Sequence, residues 1–302
     1  MCKWTRGVNV KKLDNMGVEY NINLNEINKE EIKDLGRNII KNNLVLVRNQ
    51  NLTAERLVEI CRTIGDTDKR PKNQFKYKDF DDITMVTNRR NEKGEKIGFF
   101  ATEELGWHSN GNTRSLDDIN ESCVVFCIVK PGIDSVTSYV DTQQSYNDLP
   151  THIRDEVDQL ESWMEFKNNT FYHFEETDKE LPAFEGGKRH NGSWKPLAIK
   201  HHPKMLPENC ESDYVGLYFA HHFIRKFRNI ETKEEYSLED KKELWDFLMN
   251  HVYQEKYMYH HHWKEGDIIF NDQFLSFHKR NKPEGDRLLF RVGMNYNKLG
   301  YL

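Results

Sequence analysis

The chain has 302 residues, 37% of them hydrophobic, with 17 Phe, 13 Tyr and 6 Trp, enough apolar bulk for a substantial core in a single domain spanning residues 1–302. Lys and Arg number 44 against 49 Asp and Glu, a net charge of −5, so no large basic field exists to draw in nucleic acid. The five cysteines, Cys2, Cys61, Cys123, Cys127 and Cys210, are odd in number and scattered, which argues against a disulfide framework and for a reducing compartment. No apolar run follows Met1–Arg6 and no stretch is long enough to span a bilayer. The expectation is a cytoplasmic protein without a membrane partner, with homo-oligomerisation left open.

In chain order, a helix is expected from Asn25 to about Asn43, with Glu30 and Glu31 in its first turn and Ile27, Ile32, Leu35, Ile39 and Ile40 at helical spacing. Leu44–Arg48 follows as a short buried strand. Thr53 is placed to cap a second helix carrying Leu57, Ile60, Cys61 and Ile64, which ends at Gly65. Ile83–Thr87 reads as a strand, and short strands separated by turn signals continue to Asp141. Cys123 and Cys127 lie in an apolar run, Cys123–Val129, and are read as packing residues of a buried strand. Pro150 to about Trp163 reads as helix. Residues 168–194, with Gly186-Gly187 and Asn191-Gly192, form a turn-rich excursion and a candidate lid. Thr232 to Glu255 patterns as an amphipathic helix, and a last strand pair runs over Asp267–Phe270 and Leu288–Met294. Strands at both ends with helices before and between them point to a closed or sandwiched sheet with helical elaborations rather than βαβ repeats.

Two histidines carry the chemistry: His108 in Gly106-Trp107-His108-Ser109-Asn110-Gly111, and His278 downstream of Asn271-Asp272-Gln273, followed by Arg287 and Arg291. Two imidazoles with arginines close behind suit a non-haem iron that also holds an organic acid. Trp107 is expected to shield that metal, and Asp272-Gln273 to fix the turn leading to His278 through hydrogen bonds. Arg287 and Arg291 are four apart, so on a strand both point to one face while Leu288 and Phe290 point to the other. Buried guanidiniums require anionic partners: a dicarboxylate and an acidic substrate, or else a structural Asp or Glu on one of them. Glu103 and Glu104 stand just before the first histidine. An acid there together with Arg291 would suit an amino acid or another small amino-carboxylate. The pairs His201-His202 and His221-His222 and the run His260-His261-His262 are poor metal boxes, because neighbours on a strand face opposite sides.

These blocks, in order with Asn43–Thr53, Ser135–Asp141 and Tyr146–Pro150, resemble the taurine dioxygenase superfamily of iron(II)- and 2-oxoglutarate-dependent oxygenases along nearly the whole chain. The resemblance implies a double-stranded β-helix (jelly roll) of mainly β structure with helical insertions. It implies Fe(II) and 2-oxoglutarate as cofactors and O2 as co-substrate. His108 and His278 would be metal ligands, Thr137 and Arg287 would hold the distal carboxylate of 2-oxoglutarate, and Arg291 would belong to the cofactor pocket and lie near the substrate's acid. The departure is Asn110, which stands where such proteins carry Asp or Glu and offers iron only a neutral carbonyl oxygen. Asn110 then binds weakly or through water in a hydroxylase, leaves room for a halide in a halogenase, or marks a catalytically silent 2-oxoglutarate-binding protein. Asn110-Gly111 is also a sequence prone to deamidation.

Overall fold

The computed structural model describes residues 9–69, 75–99, 104–117, 119, 121–165, 192–282 and 284–302. The expected lid at 168–194 therefore lies outside the described residues, except for its last three. In chain order the elements are β1 (Asn9–Lys12), β2 (Val18–Asn21), α1 (Lys29–Asn42), β3 (Leu44–Val47), α2 (Ala54–Ile64), β4 (Lys76–Tyr77), β5 (Phe80–Thr87) and β6 (Leu105–His108). There follow β7 (Cys123–Ile133), β8 (Val136–Asp141), α3 (Thr142–Asn147), α4 (Thr151–Asp158) and β9 (Leu160–Met164). The last part holds β10 (Ser193–Pro196), β11 (Ala198–Ile199), β12 (Gly216–Leu217), β13 (Ile224–Asn229), β14 (Glu235–Tyr236), α5 (Lys242–Val252), β15 (Met258–His262), β16 (Ile268–Asp272), β17 (Ser276–Arg280) and β18 (Glu284–Met294).

Two sheets make the body: β1-β2-β3-β16-β7-β18-β5-β4 and β15-β8-β17-β6. Alternation along each strand sorts side chains into three layers. Leu44, Leu46, Ile128, Tyr139, Ile269 and Leu289 meet in one cluster between the two sheets. Val45, Val47, Val125, Ile268, Phe270 and Val292 point the other way and pack with Ile32, Leu35 and Ile39 of α1 and Leu57, Ile60 and Ile64 of α2. On the far side of the smaller sheet, Trp107, Val140 and Phe277 pack with Leu244, Leu248 and Val252 of α5. Mainly β structure with helices laid outside a two-sheet core matches the expected jelly roll. Cys123 and Cys127 are buried in the layer beneath α1 and α2, which makes them packing residues.

Four local boundaries depart from the sequence reading. The first helix begins at Lys29, not Asn25, because Asn28 closes a capping box: its side chain accepts from the N–H of Glu30 at 3.0 Å and of Glu31 at 3.1 Å, and Glu31 accepts from the N–H of Asn28 at 2.9 Å. The helix after Pro150 ends at Asp158, and Leu160–Met164 is a strand because β13 pairs with it on one edge and β10 on the other. Trp194, at the end of the supposed excursion, belongs to that sheet. The helix expected over 232–255 is confined to Lys242–Val252. Before it, Glu235–Tyr236 is tied to Phe227 and Arg228 as a strand, and the Asp240 carboxylate holds a turn by accepting from the N–H and hydroxyl of Ser237. Thr53, by contrast, caps α2 as expected, accepting from the Arg56 N–H at 3.2 Å.

Asn28→Ala removes the acceptor of the capping box and should lower stability by about 1 kcal/mol. The urea midpoint should fall with the slope unchanged; an unmoved midpoint would show that the packed face of α1 alone sets its start.

Candidate active site

β17 lies between β8 and β6, and its register places His278 opposite His108 on β6 and Tyr139 on β8. Two steps on, Arg280 stands opposite Thr137 on β8 and Leu105 on β6. Two residues of β17 thus span three of β6, a bulge that re-aims the strand. As a result Leu105 and His108 both face the space between the sheets, although their numbers differ by an odd step. Trp107 turns outward instead and stacks on Tyr253 at 5.4 Å. The expected shielding role is therefore not its place: it supports β6 from behind, and Phe126 and Leu289 supply apolar wall inside.

The His108 and His278 rings are 4.2 Å apart, tilted by 49°. Nδ1 of His108 donates to the Gly106 carbonyl at 2.9 Å, which leaves Nε2 as the lone-pair nitrogen of the neutral ring. Burial pushes His108 down to about 4 and His278 well below the ordinary histidine value, with the Arg280 and Arg291 charges acting in the same direction. Both imidazoles are therefore neutral near pH 7, the form that ligates metal. Nδ1 of His278 and the Nδ2 of Asn110 are buried without a partner among the described residues.

Asn110 is held by its backbone. Its N–H donates to Oε1 of Gln273 at 2.8 Å, while Gln273 donates to Oδ1 of Asn271 at 2.8 Å. Asp272 organises the next turn, accepting from the N–H groups of Phe274 and Leu275 at 2.8 and 2.9 Å, and its other oxygen takes His201 and the Tyr296 hydroxyl, each at 2.7 Å. The expected role of Asp272-Gln273 is visible here, and His201 supports that turn from behind.

Arg287, Leu289 and Arg291 share the inner face of β18, as the spacing predicts. Arg287 is 3% exposed and donates to the Ser135 hydroxyl at 3.2 Å. Burial, then the Arg280 charge, pulls its guanidinium down to about 9. Thr137 accepts from the Trp263 indole at 2.9 Å and faces the same space. Arg291 is engaged by both oxygens of Glu121 at 2.6 Å, the structural-acid alternative of the sequence reading. Gly293 is required beside it, because a Cβ there would lie 1.8 Å from Oε2 of Glu121. Glu104 is exposed just outside β6 and does not line the cavity. Glu103 lies outside the described residues.

Sequence reasoning missed Arg280, which is 5% exposed and lines the cavity. Its signal was present, since it stands two residues after His278 on one strand. It also missed Glu121 and Trp263, whose partners are distant in sequence. Among the described residues no group of three His, Cys, Asp or Glu is gathered that could hold a metal, and none of them adds a charged ligand to the two neutral imidazoles. That donor set suits a divalent transition metal whose anionic ligands arrive with an organic acid; His201, His221, His260 and their neighbours form no such group.

The sequence profile described as Taurine catabolism dioxygenase TauD, TfdA family matches residues 9–292. An alpha-ketoglutarate-dependent 2,4-dichlorophenoxyacetate dioxygenase of Burkholderia sp. (strain RASC) is 22% identical over 281 residues, 89% of this chain and 85% of that protein. A protein of the same description from Cupriavidus pinatubonensis is 21% identical over 275 residues, covering 87% of each. Among solved structures, a taurine dioxygenase from Burkholderia xenovorans superposes with a TM-score of 0.70 at 17% identity, covering 97% of this chain and 90% of that one. AAD-2 in complex with Mn(II) and N-oxalylglycine superposes at 0.68 with 14% identity, covering 97% and 98%. The chain belongs to the TauD/TfdA family of dioxygenases.

Proposed function

We propose that the chain is an iron(II)- and 2-oxoglutarate-dependent oxygenase that hydroxylates an unactivated C–H bond of a small carboxylate, an amino acid among the candidates. The observation that carries this reading is the pairing of two buried, neutral imidazoles 4.2 Å apart with a buried arginine, Arg287, whose one side-chain hydrogen bond among the described residues goes to a hydroxyl. His108 and His278 hold the metal. Thr137 and Arg287 receive the distal carboxylate of 2-oxoglutarate, and the Trp263 indole keeps the Thr137 hydroxyl turned inward.

When bound, iron and 2-oxoglutarate supply the activation of O2, with 2-oxoglutarate ending as succinate and CO2 and one oxygen atom passing to the substrate. The chain's own residues position and exclude. The Gly106 carbonyl fixes the His108 tautomer, Gln273 fixes the backbone at Asn110, and Phe126 packs edge-on to His278 at 5.5 Å to keep water from its ring. The substrate's acid is left to Arg291, which it shares with Glu121; the Glu104 contribution expected from the sequence finds no support at the cavity wall.

A second reading, a silent 2-oxoglutarate-binding protein, is favoured by the absence of a third charged ligand among the described residues. Anaerobic titration with iron(II) and 2-oxoglutarate separates the two. A visible charge-transfer band is expected for the oxygenase, and a further response to chloride would move the reading to a halogenase. Tight 2-oxoglutarate binding with no band would establish the silent protein. Asn110→Asp supplies the missing carboxylate and should tighten iron binding by roughly tenfold or more, at least the scale on which hydrogen-bond partners of metal ligands alter affinity, as read by competition with a chromophoric chelator.

Glu121→Gln leaves the Arg291 charge buried without its counter-ion. The expected loss is about 3 kcal/mol of unfolding free energy, measured by denaturant titration; an unchanged midpoint would show that another group carries that charge.

A further inference from the structure

Asn110 and Gly111 lie in the turn after β6, and the geometry of that turn suits attack of a backbone nitrogen on a side-chain amide. Gly111 stands at φ +82° and has no side chain to shield its nitrogen, and its N–H makes no hydrogen bond among the described residues. The Asn110 amide is not tied down either, since its Nδ2 is buried without a partner among the described residues. Asn112, two residues on, is the contrast: its Oδ1 accepts from the Ser109 N–H and hydroxyl at 3.2 and 3.0 Å and from the Tyr218 hydroxyl at 2.8 Å. The main chain, by contrast with the Asn110 side chain, is held on both sides. The Asn110 N–H donates to Gln273 at 2.8 Å, and the Gly111 carbonyl accepts from the Arg114 N–H at 3.0 Å.

We propose that Asn110 is a self-modification site, which the folded chain converts to aspartate and so completes the two-histidine site with a carboxylate. The purpose of the conversion rests on the oxygenase reading; its chemistry does not. The Gly111 nitrogen bonds to Cγ of Asn110, and Nδ2 leaves as ammonia carrying the Gly111 proton. Water then adds to Cγ of the cyclic imide, the bond from Cγ to the Gly111 nitrogen breaks, and a proton returns to that nitrogen. A water is consumed and ammonia released, with no oxidant or reductant. Opening the imide at its other carbonyl would instead put an extra methylene into the main chain between the two points anchored by Gln273 and Arg114, so the hydrogen bonds favour aspartate over isoaspartate. The cavity that Asn110 lines also presents arginines, which offer donors only, and these suit a carboxylate better than another donor.

The test follows the full chain from fresh purification through days of ageing in mildly alkaline, metal-free buffer, by mass spectrometry of the tryptic peptide that carries Asn110. The chain's other Asn-Gly step, Asn191-Gly192, falls in a separate peptide. Expected are the mass gain of an amide turned acid, a product cut by an aspartate-specific endoproteinase and refused by an isoaspartyl methyltransferase, and iron(II) affinity that rises roughly tenfold or more in step with the converted fraction. Asn110→Gln, whose longer side chain cannot close the same ring, should keep its mass and its weak iron binding throughout. An Asn110 peptide whose mass never changes, or an isoaspartyl product, overturns the proposal. Tight iron binding by Asn110→Asp in either of those cases leaves the oxygenase reading intact. If neither the converted chain nor Asn110→Asp binds iron more tightly than Asn110→Gln, both fall.

Discussion

Everything at the centre of this molecule depends on the pairing of β17 with two partners at once. Its register with β6 brings His278 against His108 across 170 residues of chain, and its register with β8 brings Thr137 beside Arg280. The bulge against β6 matters as much as the register. Without it, strict alternation would send Leu105 and His108 to opposite faces; with it, both face inward while Trp107 anchors the strand on Tyr253 behind. The two buried imidazoles are thereby brought face to face by main-chain pairing alone.

The second constraint is electrostatic. Buried guanidiniums are tolerated only where counter-charge is supplied, and the fold supplies it unevenly. Glu121 covers Arg291 with both oxygens, and Gly293 gives up its side chain to let that carboxylate approach. Among the described residues the Arg287 side chain meets only the Ser135 hydroxyl. The two arginines thus differ in their charge compensation, although both stand on one face of β18 four residues apart.

Patterns local to an element were legible in the sequence. Leu44–Val47 as a buried strand, Thr53 as a cap, the shared face of Arg287 and Arg291, and the turn at Asp272-Gln273 all follow from spacing or from one residue's own chemistry. What escaped depends on partners far along the chain. Leu160–Met164 is a strand because β13 and β10 flank it, and Glu235–Tyr236 because β13 does; isolated windows around each carry helical periodicity. The choice of Glu121 over a ligand for Arg291 spans 170 residues. Arg280 is different, since period-two alternation from His278 predicts its direction, and only attention to the paired arginines of β18 hid it.

Asn110 shows how separable fold and chemistry are at this site. Its position is set through its backbone N–H on Gln273, and Gln273 is set in turn by Asn271; neither contact uses the Asn110 side chain. A carboxylate or an amide can therefore stand there without disturbing β6 or the turn after Asp272. What changes is where the charge of a bound cation is balanced. With a carboxylate, the protein itself balances part of it. With an amide, the side chain at this position brings no charge to that balance.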